Sequence, residues 1–270
     1  MKREHYQDYT PQDTSRAESA LLTAWAILGD LTEDLVLIGG LVPRYICNKT
    51  DELNAVTIDV DLGVSLGLSS GQYETTRNRL AGSGFEWKEK RFVKTIDGAP
   101  LYLDFLTDKP NADSPDSAMV DDVPVGAVYG VDRALEIYRT VTISGKDLYG
   151  ASVTEEIKVC EVGPYICLKL QAYHNRAQSK DVFDIVRAVR DYDGGIDAAV
   201  KAFRQEKSSN KAYDIAMHTL KDRFVSETSK GPVQYVDFCA GQLSAASSDA
   251  NFARQQHANE ALDVAIALTK

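Results

Sequence analysis

The sequence predicts an α+β protein: a small mixed β-sheet with flanking helices, followed by an α-helical C-terminal domain. Three observations carry this. Short apolar and alternating runs at residues 35–38, 56–66, 91–96 and 101–106 have the length and period of strands. Helical spacing of apolar residues appears at 15–28. After Gly163-Pro164 the strand signals stop, and 164–192 and 195–206 give strong helical patterns, with helical segments continuing to Lys270. The expected domains are therefore residues 1–162, α/β, and 163–270, α-helical.

Taken in order, residues 1–13 are polar and expected to be loosely held. In 15–28, Leu21, Leu22, Trp25, Ala26 and Leu28 recur at helical spacing, and Gly29-Asp30 is the stop signal. Leu35-Val36-Leu37-Ile38 is continuously apolar and suits a buried strand. Gly39-Gly40 ends it, and residues 41–47 start a helix, with Pro43 tolerated in its first turn. Residues 56–66 alternate. Val56, Ile58, Val60, Leu62 and Val64 fall on one face, with Thr57, Asp59, Asp61 and Ser65 on the other. A helix over 72–80 ends at Gly82-Ser83-Gly84, and the strands at 91–96 and 101–106 are joined by an Asp97-Gly98 turn signal. Residues 107–117 read as a loop, and 136–144 and 154–161 as further strands. Trp25 and Trp87 are expected in the core, and Tyr45 and Tyr129 in packing positions.

Composition bounds the function. With 270 residues and 44% apolar content the chain can bury a sizeable core. A formal charge of −10 argues against a broadly basic coat, although a local basic groove can still bind a phosphate backbone. Cys47, Cys160, Cys167 and Cys239 form no C-x-x-C pair and fit no zinc module, so they are expected as reduced, mostly buried thiols. The opening residues lack the apolar run of a signal peptide, and no stretch approaches a membrane span of about 20 apolar residues. A cytoplasmic protein with no membrane partner is expected.

Asp59-Val60-Asp61 is the most informative tripeptide. On a strand, residues i and i+2 point the same way, so both carboxylates leave one face. Like charges at that spacing repel unless a cation neutralises them. Oxygen-only ligation suits magnesium, which takes one or two carboxylates and keeps phosphate and water as its other ligands. The plain alternative is the exposed face of a strand. Against it, Asp is depleted in strands, and a third, Asp104, interrupts Leu101-Tyr102-Leu103-Asp104-Phe105-Leu106 in the same way. Gly39-Gly40, between a strand and a helix, either makes a tight turn or turns bare backbone N–H groups toward a phosphate.

Val36-Leu37-Ile38-Gly39-Gly40-Leu41-Val42-Pro43 followed by Thr57-Ile58-Asp59-Val60-Asp61-Leu62 resembles the AbiEii/AbiGii toxin family, a branch of the polymerase-beta-like nucleotidyltransferases. Lys169-Leu170, Ala172, Arg176, Lys180-Asp181 and Asp184-Ile185 are similar to that family's later helices, so the resemblance covers residues 34–192. It implies a nucleotidyltransferase core, Mg2+, and a nucleoside triphosphate substrate. Members act as toxins of toxin–antitoxin or phage-defence systems, and some attach nucleotides to tRNA. An RNA acceptor and an antitoxin protein are the implied partners. Carried over, Asp59, Asp61 and Asp104 are the catalytic and metal-binding residues. Gly39, Gly40, Arg44, Thr57, Lys169, Lys180, Asp181 and Asp184 are the nucleotide-binding ones. Ala55 stands where many members have an arginine, with Arg44 and Arg91 as candidates to supply that charge, and an insertion is expected around residues 48–54.

The helical cluster also reads without the family. Arg176, Lys180 and Asp184 are spaced i, i+4 and share a face if the helix is continuous, as do Lys169, Tyr173 and Arg176. Such a face either binds triphosphate oxygens or is a solvated face with ordinary ion pairs. His174 is expected as a partly buried polar residue. Two alternatives to nucleotide transfer onto RNA stand beside it. One is an inactive nucleotide-binding or regulatory module. The other is a nucleotidyltransferase that modifies a protein or small molecule, which the acidic charge favours.

Overall fold

The computed structural model describes residues 3–48, 57–65, 72–96, 98–111, 113–120, 123–241 and 248–270. The protein is α+β and divides into two units. One comprises Pro11–Tyr45 and Thr57–Glu161. The other joins Val162–Lys270 with residues 3–10 and 46–48. Strands give way to helices between the strand that ends at Cys160 and the helix that begins at Val162, and the N-terminal segment belongs with the helices and not with the sheet. Ala55 and the expected insertion, apart from Asn48, lie outside the described residues.

The α/β unit opens with α1 (Pro11–Leu28), one turn longer than its apolar spacing indicates. Pro11 supplies the preset φ of a first helical turn, and Gly29 at φ +54 ends the helix. Its face of Ala17, Leu21, Ala24, Trp25 and Leu28 is buried. β1 (Leu35–Ile38) is buried along its whole length. A 3-10 turn over Gly39–Leu41 and the single turn of α2 (Pro43–Ile46) follow, in place of a full helix.

β2 (Asp59–Val64) keeps the expected alternation, with Val60, Leu62 and Val64 fully buried. After it come α3 (Gln72–Gly82), β3 (Glu86–Lys88), β4 (Arg91–Ile96), β5 (Ala99–Asp108), β6 (Ser117–Val120), β7 (Val123–Val128), α4 (Val131–Glu136), β8 (Tyr138–Lys146) and β9 (Ser152–Cys160). Only part of the expected loop at 107–117 is one, because β5 runs on to Asp108. Trp87, expected in the core, is half-buried on β3 with its ring edge-on to Phe92.

These strands form one mixed sheet of order β3-β4-β5-β2-β1-β9-β8, with β7 and then β6 added beside β5. β1 is antiparallel to β2 and parallel to β9, while β2 is parallel to β5. α1 packs on β2, β5, β8 and β9, and α4 on β1, β2 and β5.

The helical unit contains α5 (Val162–Arg176), α6 (Ser179–Arg190), α7 (Ile196–Gln205), α8 (Tyr213–Arg223), α9 (Lys230–Ala240) and α10 (Ser248–Thr269). α5 packs against α6, α7 and α8, and α9 against α6 and α10. The run at 164–192 is two helices, broken where Ala177 adopts φ +51. The N-terminal segment is held in place. Asp8 accepts backbone hydrogen bonds from Glu4 and His5 at 2.8 and 2.9 Å, and Tyr6 lies 5.4 Å from the Phe183 ring. No helix among the described residues is long and apolar enough to cross a membrane.

Candidate active site

Asp59 and Asp61 leave the same face of β2. The parallel register of β2 on β5 sets Asp61 directly beside Asp104 and Asp59 beside Tyr102. Paired residues on neighbouring strands point to the same side, so three carboxylates from two strands share one patch. The side chains of Asp59 and Asp104 keep 35% and 23% of their surface exposed, so the patch is open to ligands.

Gly39 borders this patch from the turn after β1, where Ile38 pairs with Asp61. Gly39 has φ +75, which a residue with a Cβ adopts only under strain. A Cβ there would lie 1.9 Å from the Asp61 carboxylate. The glycine is thus required twice, by the backbone and by the space that Asp61 fills. Gly40 is buried in the same turn.

Thr57 fixes the start of β2. Its hydroxyl receives the Asp59 backbone N–H at 3.1 Å, and the residue is buried. It positions Asp59 and presents no hydroxyl to a ligand. Arg44 forms an ion pair with Glu18 of α1.

The counter-charge comes from Arg91. Its guanidinium donates through Nε to Asp104 Oδ1 at 2.9 Å and through Nη2 to Asp104 Oδ2, with Asp59 Oδ2 at 3.6 Å. It also lies 4.1 Å from the centroid of the Tyr102 ring. Such a forked pairing is the strongest carboxylate contact a side chain can make. Of the two arginines considered as substitutes for the charge absent at Ala55, Arg91 is the one at the carboxylates. A signal for it was present in the sequence. The β4–β5 hairpin pairs Phe92 with Leu103, so extending the register by one residue sets Arg91 opposite Asp104.

Burial and then the neighbouring charges govern Asp104. Burial pushes its carboxyl up, Arg91 pulls it down, and Asp61 and Asp59 push it up again, leaving it at about 6. Among the described residues Arg91 meets Asp104 and Asp59, and the three carboxylates supply the hard oxygen donors that suit magnesium. Asp104, expected as a third metal ligand, also carries the Arg91 fork.

The helical cluster is a closed network. Lys169, nearly fully buried, donates to Asp184 at 2.6 Å and lies 3.8 Å from Asp181. Arg176 grips Asp181 with a fork at 2.7 and 2.6 Å, and Lys180 reaches Asp184 at 3.2 Å. Because the chain breaks at Ala177, Arg176 and Lys180 do not form the expected i,i+4 pair. Burial disfavours the Lys180 ammonium, but Asp184 outweighs it and holds its pKa above the ordinary lysine value. Burial likewise disfavours the Asp181 carboxylate, which Arg176 and Lys169 keep ionised. Lys180 and Arg176 also line a cleft of about 460 Å3 with Arg3 and His5, whereas Lys169, Asp181 and Asp184 serve the interior. His174 is half-buried and bonded to the Thr219 hydroxyl at 3.2 Å. The cysteines are free thiols, and all but Cys239 are buried.

No protein-family model matches the chain, and no curated protein matches it.

Proposed function

We propose that the α/β unit is a nucleotidyltransferase core. On this reading it transfers a nucleoside monophosphate from a nucleoside triphosphate to an acceptor hydroxyl, using Asp59, Asp61 and Asp104. The observation that carries the reading is the pairing of Asp61 with Asp104 across parallel strands, with Asp59 on the same face and Gly39 bare against Asp61. Asp59 and Asp61, with Asp104 beside them, would hold Mg2+, which would supply charge neutralisation at the phosphates and acidify the acceptor hydroxyl. Asp104, with its raised pKa, is the carboxylate suited to accept the hydroxyl proton. The acceptor oxygen forms a bond to the α-phosphorus, and the bond to the bridging oxygen breaks. Pyrophosphate leaves with that electron pair. Gly39 gives its side-chain space to the Asp61 carboxylate and Gly40 is buried in the same turn, so a phosphate-binding part for the two glycines is supported by the family resemblance alone. The resemblance to the toxin family supports tRNA or another RNA as the acceptor and an antitoxin as partner. The net charge of −10 supports a protein or small-molecule acceptor.

A second reading, nucleotide binding without turnover, is favoured by one observation: Arg91 already supplies a cation to Asp104 and Asp59. One experiment separates the readings. The protein is incubated with each α-labelled triphosphate, Mg2+ and total RNA, and label is followed in the RNA and protein fractions. Transfer is expected in the wild type and should fall roughly 100-fold or more in Asp59→Asn and Asp61→Asn. Full activity in either variant rejects the assignment. Binding without covalent label establishes the second reading.

A further inference from the structure

A cleft of about 450 Å3 opens within the helical unit, between the faces of α6, α9 and α10 and beside Tyr6. That volume is within the range of small-molecule sites. Its floor is aromatic. Phe183 and Tyr235 lie 6.2 Å apart at an interplanar angle of 24°, and Tyr6 tilts against Phe183 at 5.4 Å. His257 stands edge-on to Tyr235 at 5.8 Å. These rings come from four separate chain segments, pack on one another and line one wall of the cleft.

The polar groups of the cleft converge on one side. Arg187 and Arg190 project from the last turn of α6. Arg187 is buried against Phe183, its guanidinium 5.8 Å from the ring centroid, with Asp191 at 3.5 Å. Glu260 accepts from Arg190 Nη1 at 2.8 Å, faces His257 Nδ1 at 3.2 Å, and takes the Tyr235 hydroxyl at 3.5 Å. Three lining groups are therefore oriented by a single carboxylate, the kind of support that preorganises a binding site. Arg190 carries five N–H donors, commits one nitrogen to Glu260, and keeps 41% of its side chain exposed. The cleft thus offers an aromatic wall with a partly open guanidinium at its edge.

We propose that this cleft binds a small planar aromatic compound carrying an oxyanion, either a carboxylate or a phosphate. The ring lies in the cleft against the wall of Tyr6, Phe183 and Tyr235, and the oxyanion meets Arg190, whose fork matches carboxylate and phosphate geometry. Arginine at the C-terminal end of a helix also complements the helix dipole, but that role requires neither the aromatic wall nor the shared carboxylate. Binding is reversible and involves no covalent step. Burial pushes the Cys239 thiol in the cleft wall up to about 12, so it stays protonated. Every lining residue belongs to the helical unit, so the proposal does not rest on nucleotide transfer at Asp59 and Asp61.

The test titrates the full-length protein with benzoate, adenosine monophosphate, cyclohexanecarboxylate and inorganic phosphate, by calorimetry and ligand-observed NMR. Saturable binding of benzoate or adenosine monophosphate is expected, and which of the two binds tells the carboxylate source from the phosphate source. Cyclohexanecarboxylate and phosphate should bind about tenfold more weakly or not at all. Arg190→Gln should weaken binding about tenfold, Arg190→Lys less, and Tyr6→Ala several-fold, with circular dichroism confirming that each variant is folded. Asp59→Asn should bind as the wild type does. The proposal is overturned if no probe binds the folded protein at millimolar concentration, if the aromatic and non-aromatic acids bind equally, or if folded Arg190→Gln and Tyr6→Ala bind unchanged.

Discussion

The protein carries two clusters of carboxylates and cations, one in each unit, and they are built to opposite specifications. In the α/β unit, Asp104 and Asp59 meet the guanidinium of Arg91 with side chains 23% and 35% exposed, and Asp61 lies beside Asp104. In the helical unit, Asp181 and Asp184 meet Lys169, Arg176 and Lys180, and both carboxylates are almost fully buried. The first cluster has surplus negative charge and access to solvent. The second has surplus positive charge, closed hydrogen bonds and little access. Burying charge is tolerated only where it is paired and hydrogen-bonded. The helical cluster is therefore paired within itself, and on the proposed reading the open, acid-rich one takes a further cation. Similar residue types at similar spacing lead to different roles because burial and charge balance differ.

The comparison predicts that the closed cluster carries the larger share of stability. Asp184→Asn removes the direct partner of the buried Lys169 ammonium and should destabilise the fold by about 3–5 kcal/mol, read by chemical denaturation. A loss below about 1 kcal/mol would mean that the cluster is solvated and that the contrast between the two sites fails. Next in size is Gly39→Ala, which forces a Cβ into the Asp61 carboxylate and strains a left-handed backbone. A loss of about 1–3 kcal/mol is expected, together with loss of any transfer activity. A variant as stable and active as the wild type would show that Gly39 does not shape the acidic site.

A smaller effect concerns pH. Asp104 has a folded pKa of about 6, above the ordinary carboxylate value of 3.8. Between these values the folded protein holds a proton that the unfolded chain has released. The stability contributed by Asp104 is therefore fully present below pH 3.8 and is lost as pH rises through 6. Metal-free wild type should lose on the order of 1 kcal/mol relative to Asp104→Asn across that window. Parallel denaturation curves from pH 4 to 7 would show instead that Asp104 titrates normally. The smallest expected shift sharpens the view of the open cluster. Removing the guanidinium with Arg91→Gln should increase the stabilisation by added Mg2+ to about 2 °C or more in Tm beyond that of the wild type. An unchanged or weaker response would mean that Arg91 and the metal do not compete for the same carboxylates.

Much of this was legible from local pattern. The alternation around Asp59 fixed which side chains share a face, because a strand repeats every two residues. The Asp97-Gly98 signal and the flanking strands gave the β4–β5 hairpin, and in that register Arg91 already faced Asp104. Other features were hidden from period counting. α4, β6 and β7 are short, and the sequence reading assigned them no elements. The helical pattern over 164–192 continued through Ala177 because apolar spacing does not report a single residue at positive φ. Thr57 and Lys169 entered the site through the family resemblance. Their burial, with Thr57 bonded to the Asp59 backbone and Lys169 inside an ion-pair network, was not legible from the sequence.

What the sequence alone determined, then, is the succession of strands and helices and the facing of each side chain on its own element, since both follow from periods of two and 3.6 residues. Tertiary structure decided which elements became neighbours. It set β2 parallel to β5, so that Asp61 and Asp104 meet, and folded the turn after β1 so that Gly39 yields its space to Asp61. It also separated carboxylates left partly exposed on the sheet from those buried with lysine and arginine partners. Strand order, burial and charge compensation depend on contacts between distant segments, and no local repeat encodes them.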